Sequence, residues 1–139
     1  MGFMAQDHDR LDLIFKEFRS QENTNFAEAE KSFTDFKAGL ERHIVWEEEI
    51  LFPIFEKRTG MHNDGPTHVM RMEHRQIKDY LEKIRSKLAT HDTATTELET
   101  GLMEVLTAHN QKEEAVLYPW FDSSLSAKEQ EETLTRMRA

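Results

Sequence analysis

The 139-residue chain contains no cysteine. That excludes disulfides, thiolate zinc sites, iron–sulfur clusters and cysteine nucleophiles, so any metal must be held through nitrogen and oxygen. Glycine and proline are scarce, at five and three residues, which suits helices better than a barrel or sandwich. Positive charge is in deficit too: the formal net charge is −9, and no Lys/Arg-rich tract interrupts it. Phosphate recognition needs a basic patch, so no nucleic-acid partner is expected. No run approaches the apolar length of a membrane span, and the opening residues MGFMAQDHDRLD lack the apolar core of a secretion signal. The expectation is a cytoplasmic chain with no membrane association.

What the chain does have is helical periodicity. Leu11, Ile14, Phe15 and Phe18 recur at helical spacing within about residues 4–20. After the polar break QENTN, a long helix to about residue 58 takes its core from Phe33, Phe36, Leu40, Ile44, Leu51 and Phe55. A loop at 60–66 ends in Pro66, which suits the first turn of a third helix carrying Ile77, Leu81, Ile84 and Leu88. ATHDTAT ends that helix, and a fourth runs through Leu98, Leu102, Val105, Leu106, Val116 and Leu117 to about residue 122. Ser126 followed by Glu129 is a capping-box signature for a tail helix over about 126–138. Pro53 and Pro119 are expected to kink or fray the second and fourth helices. The implied fold is all-α: one domain over 1–139, an up-down-up-down four-helix bundle of two hairpins (about 4–58 and 67–122) with a short C-terminal helix.

The two hairpins repeat each other at an offset of 66 residues without a gap. His8 falls on His74, His43 on His109, Glu47 on Glu113, Glu48 on Glu114, Pro53 on Pro119 and Phe55 on Phe121. Apolar pairs follow in the same register, among them Leu11 with Ile77, Ile50 with Val116 and Phe52 with Tyr118. Any two helical hairpins would match some leucines; matched histidines, glutamates and prolines need a shared design.

His43 and Glu47 are one helical turn apart, as are His109 and Glu113, so each pair projects from one face. That face is the apolar one: Leu40, His43, Glu47, Ile50 and Ile54 follow one stripe, and Leu106, His109, Glu113, Val116 and Trp120 the other. A buried, unpaired carboxylate costs several kcal/mol or more unless neutralised or coordinated. Four histidines (His8, His43, His74, His109) and two glutamates (Glu47, Glu113) converging on one core therefore call for compensating cations. Nitrogen and oxygen donors without sulfur suit iron, with manganese and zinc as alternatives. Each of two ions would take two histidines, each glutamate could bridge them, and solvent or an oxo or hydroxo group would complete the bridge. A metal-free reading exists for a single His-x-x-x-Glu, which is a common helix pair; the doubled set argues against it. Glu114 rivals Glu113, since a carboxylate five residues after the histidine also reaches inward. Glu48, Glu49 and Glu114 otherwise read as surface groups or supports for the ligands. His62, His68 and His91 read as solvated, Met4 and Met70 as core filling, and Trp46, Tyr80 and Trp120 as packing. Trp120 and Phe121, if exposed, would offer a self-association surface.

The stretches DHDRLD (7–12), HIVWEEEILFP (43–53), EHRQI (73–77) and HNQKEEAVLYP (109–119) together resemble the hemerythrin-like family, specifically its His-His-Glu cation-binding domains, over about residues 4–122. The resemblance implies a four-helix bundle around a non-haem di-iron centre. Members bind oxygen reversibly, sense oxygen or iron, or act in nitric oxide and peroxide responses. Oxygen carriers of the family use a further histidine one turn before the one matched by His74; Met70 stands there, so the implied site has four histidines and two glutamates. No histidine has a glutamate three residues before it, so the Glu-x-x-His pattern of ferritin-like di-iron oxidases is absent. The expectation is a di-iron protein that binds or senses oxygen, or another small diatomic or peroxide ligand, rather than an enzyme. The alternatives are a di-iron oxidoreductase acting on peroxide or nitric oxide, and an iron-responsive module whose fold depends on metal.

Overall fold

A computed structural model describes all residues, 1–139. Every regular element is helical: α1 (Gly2–Gln21), α2 (Phe26–Trp46), a π-helical turn π1 (Glu47–Leu51), α3 (Phe52–Thr59), α4 (Pro66–Ala89), α5 (Thr96–Lys112), a second π-helical turn π2 (Glu113–Leu117), α6 (Tyr118–Ser124) and the tail helix α7 (Ala127–Arg138). The elements α2–π1–α3 and α5–π2–α6 are the second and fourth rods expected from the sequence, each interrupted where the proline lies. None is long and apolar enough to cross a membrane.

Local chemistry sets the ends. The Asn25 side chain accepts from Glu28 N–H at 3.3 Å to start α2. Gly60, at φ 75°, closes α3 with its N–H on the Glu56 carbonyl. The Ser126–Glu129 capping box is present in both directions, at 3.1 and 3.0 Å. Gly39 lets α1 and α2 approach closely, since a Cβ there would lie 2.7 Å from Leu11 Cδ2.

The prolines do more than kink. A proline four residues into an α-turn removes an N–H, and its ring presses on the carbonyl behind it. Here the turn ahead of each proline is widened, so that Phe52 N–H reaches the Glu47 carbonyl and Tyr118 N–H the Glu113 carbonyl, five residues back. The Glu48 carbonyl, which Pro53 cannot serve, accepts from Arg71 Nη2 at 3.3 Å. Widening the turn moves the inward stripe along by one residue. Val116, expected to face the core, is 56% exposed, and Ile50, Ile54 and Trp120 are only half-buried, while Leu51, Phe55, Leu117 and Phe121 take the inward positions. Phe121 is fully buried and Trp120 packs edge-on against it and Phe55, so the self-association surface anticipated at these two residues does not form.

Two apolar clusters fill the bundle. One joins Leu11, Phe15, Phe18, Phe33, Phe36, Leu40, Ile44, Ile77, Leu81 and Leu106. The other joins Met4, Leu51, Phe52, Phe55, Met70, Leu117, Tyr118 and Phe121 beneath α7. Along each rod the repeated histidines and glutamates fall between the two clusters, so apolar layers lie above and below them. Met4 and Met70 are buried in the second cluster as packing groups.

At the far end of the bundle the Thr95 hydroxyl lies between two carboxyls, 2.5 Å from Glu99 Oε2 and 3.1 Å from Glu22 Oε1, while Arg19 Nε donates to Glu99 at 3.1 Å. Burial, and then the adjoining Glu99, push Glu22 up to about 8.

Two outcomes follow for stability at fixed metal loading. Phe36→Ala, at a fully buried ring 4.9 Å from Phe15, is expected to cost about 3–5 kcal/mol in urea unfolding. Glu22 binds its proton more tightly folded than unfolded, so the stability it contributes is full below the ordinary glutamate range and is lost as pH rises through about 8. Glu22→Gln is therefore expected to flatten the fall in Tm across that window. Solvent screening limits the gain above pH 8 to about 1 kcal/mol, a rise of roughly 2–4 °C.

Candidate metal centre

The repeat residues meet between the two apolar layers. His8 comes from α1, His43 from α2, Glu47 from the start of π1, His74 from α4, His109 from α5 and Glu113 from the start of π2. All six are at most 3% exposed, and both glutamates are fully buried. Their donor atoms form two groups that each could hold an ion: His8 and His43 with Glu113, and His74 and His109 with Glu47 and Glu113. His8 Nε2 lies 3.0 Å from His43 Nε2 and 3.3 Å from Glu113 Oε1. His74 Nε2 lies 3.1 Å from both His109 Nε2 and Glu47 Oε1. His109 Nε2 is 3.2 Å from Glu113 Oε1, and His43 Nε2 is 3.7 Å from Glu47 Oε2. Glu47 thus turns one oxygen to each histidine pair. His62, His68 and His91 are exposed, outside this cluster, with His91 stacked on Phe26.

Each imidazole is held from behind by an acid. The Nδ1 of His8 faces Glu114 at 3.0 Å and that of His74 faces Glu48 at 2.7 Å. The Nδ1 of His43 faces Asp7 at 2.8 Å and that of His109 faces Glu73 at 3.0 Å. These four contacts are two pairs related by the same 66-residue offset, so the hairpins pack about a pseudo-two-fold axis. A proton placed on Nδ1 for its acid leaves Nε2 a bare lone pair. Two lone pairs then face each other at about 3 Å in each histidine pair, which is repulsive unless a proton or cation stands between them. Glu113 Oε2 is buried with no hydrogen-bond partner, an orphan that also asks for a cation. The donor set and its unmet demands fit metal ions.

The electrostatics say the same. Burial disfavours a charged His43, yet the Glu47 charge and the bond to Asp7 outweigh it and raise the imidazole to about 9. At His109 burial is overcome by Glu113 and Glu47, to about 11. Burial also pushes Glu47 up, but the bond shared with Glu113 and the neighbouring imidazoles hold it well below the usual carboxylate range; burial and the Glu47 charge push Glu113 up. The pull on a proton is thus strongest where positive charge is missing.

Two features escaped the sequence reading, a pair of acids and a tyrosine. Asp7 and Glu73 are themselves 66 residues apart and precede His8 and His74; each reaches across to the histidine of the neighbouring helix. Glu48 and Glu114, read as supports or surface groups, hold His74 and His8, and Glu113 rather than its rival Glu114 turns into the core. Tyr118, matched in the repeat with Phe52, places its hydroxyl in the cluster: 2.9 Å from Glu47 Oε2, 3.2 Å from Glu113 Oε1 and His8 Nε2, and 3.3 Å from His43 Nε2. Burial, then the two carboxylates, push its hydroxyl well above the usual tyrosine range.

The model of the hemerythrin family, described as the hemerythrin HHE cation-binding domain, matches residues 2–121. A hemerythrin-like protein of Schizosaccharomyces pombe is 30% identical over 124 residues, 89% of this chain and 60% of that one. A DNA nickase of Nostoc is 23% identical over 98% of this chain and 37% of its own length. An iron–sulfur cluster repair protein of Edwardsiella ictaluri is 38% identical over 55 residues, 40% of this chain and 25% of that protein. The chain therefore spans less than two thirds of each of these relatives. No solved structure matches it.

The acids behind the imidazoles are testable. Glu48→Gln keeps the shape but weakens the acceptor for His74 Nδ1, and metal affinity is expected to fall about 10–100-fold, read by chelator competition, with helix content unchanged. Glu114→Gln, its counterpart at His8, is expected to do the same.

Proposed function

The chain belongs to the hemerythrin HHE cation-binding family, and from that premise we propose a non-haem di-iron protein that binds or senses oxygen or a related small oxidant. The observation that carries this reading is two histidine pairs with Glu113 common to both and Glu47 turning one oxygen toward each. His8 and His43 would hold one ion and His74 and His109 the other, with Glu47 and Glu113 placed between the pairs. Iron suits these donors, with manganese and zinc as competitors, and the likeness to an iron–sulfur cluster repair protein supports iron. When bound, such a pair supplies a redox-active centre for a small electron acceptor. The protein's part is to fix the donors, through the four acids behind the imidazoles, and to keep water out with the apolar layers on either side. Ligands at most 3% exposed favour partners the size of a diatomic or a peroxide. A surface cavity of about 760 Å³ between α4 and α5, at Asp79, Lys83 and Leu98, shares no residue with the centre. The Nostoc likeness, at 23% identity and against a net charge of −9, carries no nuclease reading. We take the chain to be one cytoplasmic domain with no nucleic-acid partner.

One observation favours a second reading, a di-iron oxidoreductase acting on peroxide or nitric oxide. Such chemistry needs a proton donor at the centre, and the Tyr118 hydroxyl, inside the cluster, would be one wherever it is not itself bound to an ion.

Anaerobic reconstitution with ferrous iron is expected to load about two irons per chain, and Glu47→Gln/Glu113→Gln about one or fewer. Admitting air is then expected to change the visible spectrum, reversibly for a carrier and irreversibly for a sensor. Peroxide loss that scales with iron selects the second reading. Full loading of the double variant, or a ferrous protein indifferent to oxygen, nitric oxide and peroxide, would sink both.

A further inference from the structure

Phe52 and Tyr118 hold the same place in the two hairpins, each just after its π-helical turn. Their rings lie at matching distances from matched imidazoles: Phe52 is stacked 5.5 Å from that of His74, and Tyr118 is tilted 5.6 Å from that of His8. Only one carries a hydroxyl, so among the groups facing the centre the pseudo-two-fold symmetry is broken at that atom.

That atom sits among donors. Four donors, His8 Nε2, His43 Nε2, Glu47 Oε2 and Glu113 Oε1, surround Tyr118 Oη. Oη is 2.9 to 3.3 Å from all four, His8 is 3.0 Å from His43 and 3.3 Å from Glu113, and His43 is 3.7 Å from Glu47. Neighbouring donors of an octahedral ion with bonds of about 2.1 Å stand about 3 Å apart, so Tyr118 Oη stands at ligand spacing from each of these four. On the other side, four donors converge (His74, His109, Glu47, Glu113), and the Phe52 ring occupies the place of the phenol.

Resting on the di-iron reading above, we propose that Tyr118 Oη is a fifth protein donor to the ion held by His8 and His43, making the two ions inequivalent. On ligation an O–metal bond replaces the phenol O–H bond, the proton leaves to solvent and no electron moves. The carboxylates that disfavour a phenolate in the metal-free cluster are themselves neutralised by the cations. The ion beside Phe52, with fewer protein donors, is the one left with room for an exogenous ligand.

The test compares wild type, Tyr118→Phe and Tyr80→Phe, Tyr80 being the only other tyrosine. Each is loaded with ferrous iron, oxidised in air, assayed for iron and examined by visible absorption and resonance Raman. Wild type and Tyr80→Phe are expected to show a phenolate-to-ferric charge-transfer band that enhances tyrosine ring modes, and Tyr118→Phe to lose it while keeping about two irons. Two irons in wild type without that band overturn the proposal and leave the di-iron reading standing. A band that survives in Tyr118→Phe also overturns it. Failure to bind iron overturns both. Should Tyr118→Phe not fold, Tyr80→Phe carrying ring-deuterated tyrosine decides: enhanced modes that shift with the label support the proposal, and their absence overturns it.

Discussion

Glu47 and Glu113 have no water to turn to, and the four imidazoles facing them have their outer nitrogens committed to Asp7, Glu48, Glu73 and Glu114. The inner faces of all six side chains therefore require positive charge at the centre. Protons can supply it, which is why His43 and His109 are pushed so far up. Metal ions supply it better, because one ion serves several lone pairs at once. Helix packing and positive charge are thus linked: the cost of excluding water from the carboxylates is offset by whatever stands among them, proton or metal cation.

The rods deliver this layer without giving up their apolar contacts. Each carries one cluster above the centre and another below, and the π-helical turns reset the register between them. In each long rod the turn begins at the buried glutamate, so that Glu47 and Glu113 face the histidines while Leu51, Phe55, Leu117 and Phe121 still point into the lower core. Single widened turns of this kind often mark functional sites in helices. Here the proline next to each gives the local cause, since it cannot complete the α-helical ladder.

Much of this was legible because the chain states its design twice. Period and breaks gave the helices, and the 66-residue offset picked out the six residues that meet in space. The misses have physical causes. Val116 follows an α-helical stripe on paper, but the widened turn rotates it to solvent, and only Pro119 hinted at that. Asp7 and Glu73 act across helices, on His43 and His109, and spacing along one helix says nothing about such contacts. Tyr118 was hidden by its match with Phe52: the two rings are nearly isosteric, and the destination of one hydroxyl is decided by packing.

The Phe52/Tyr118 mismatch bears on how such a centre can be assembled. Two separate copies of a single hairpin, docked about a true dyad, would present two phenols or none. A lone phenol needs two halves that differ, and one polypeptide holding both lets each diverge without the other. Covalent tandem linkage thus permits a lopsided centre, a freedom closed to any homodimer of the same shape.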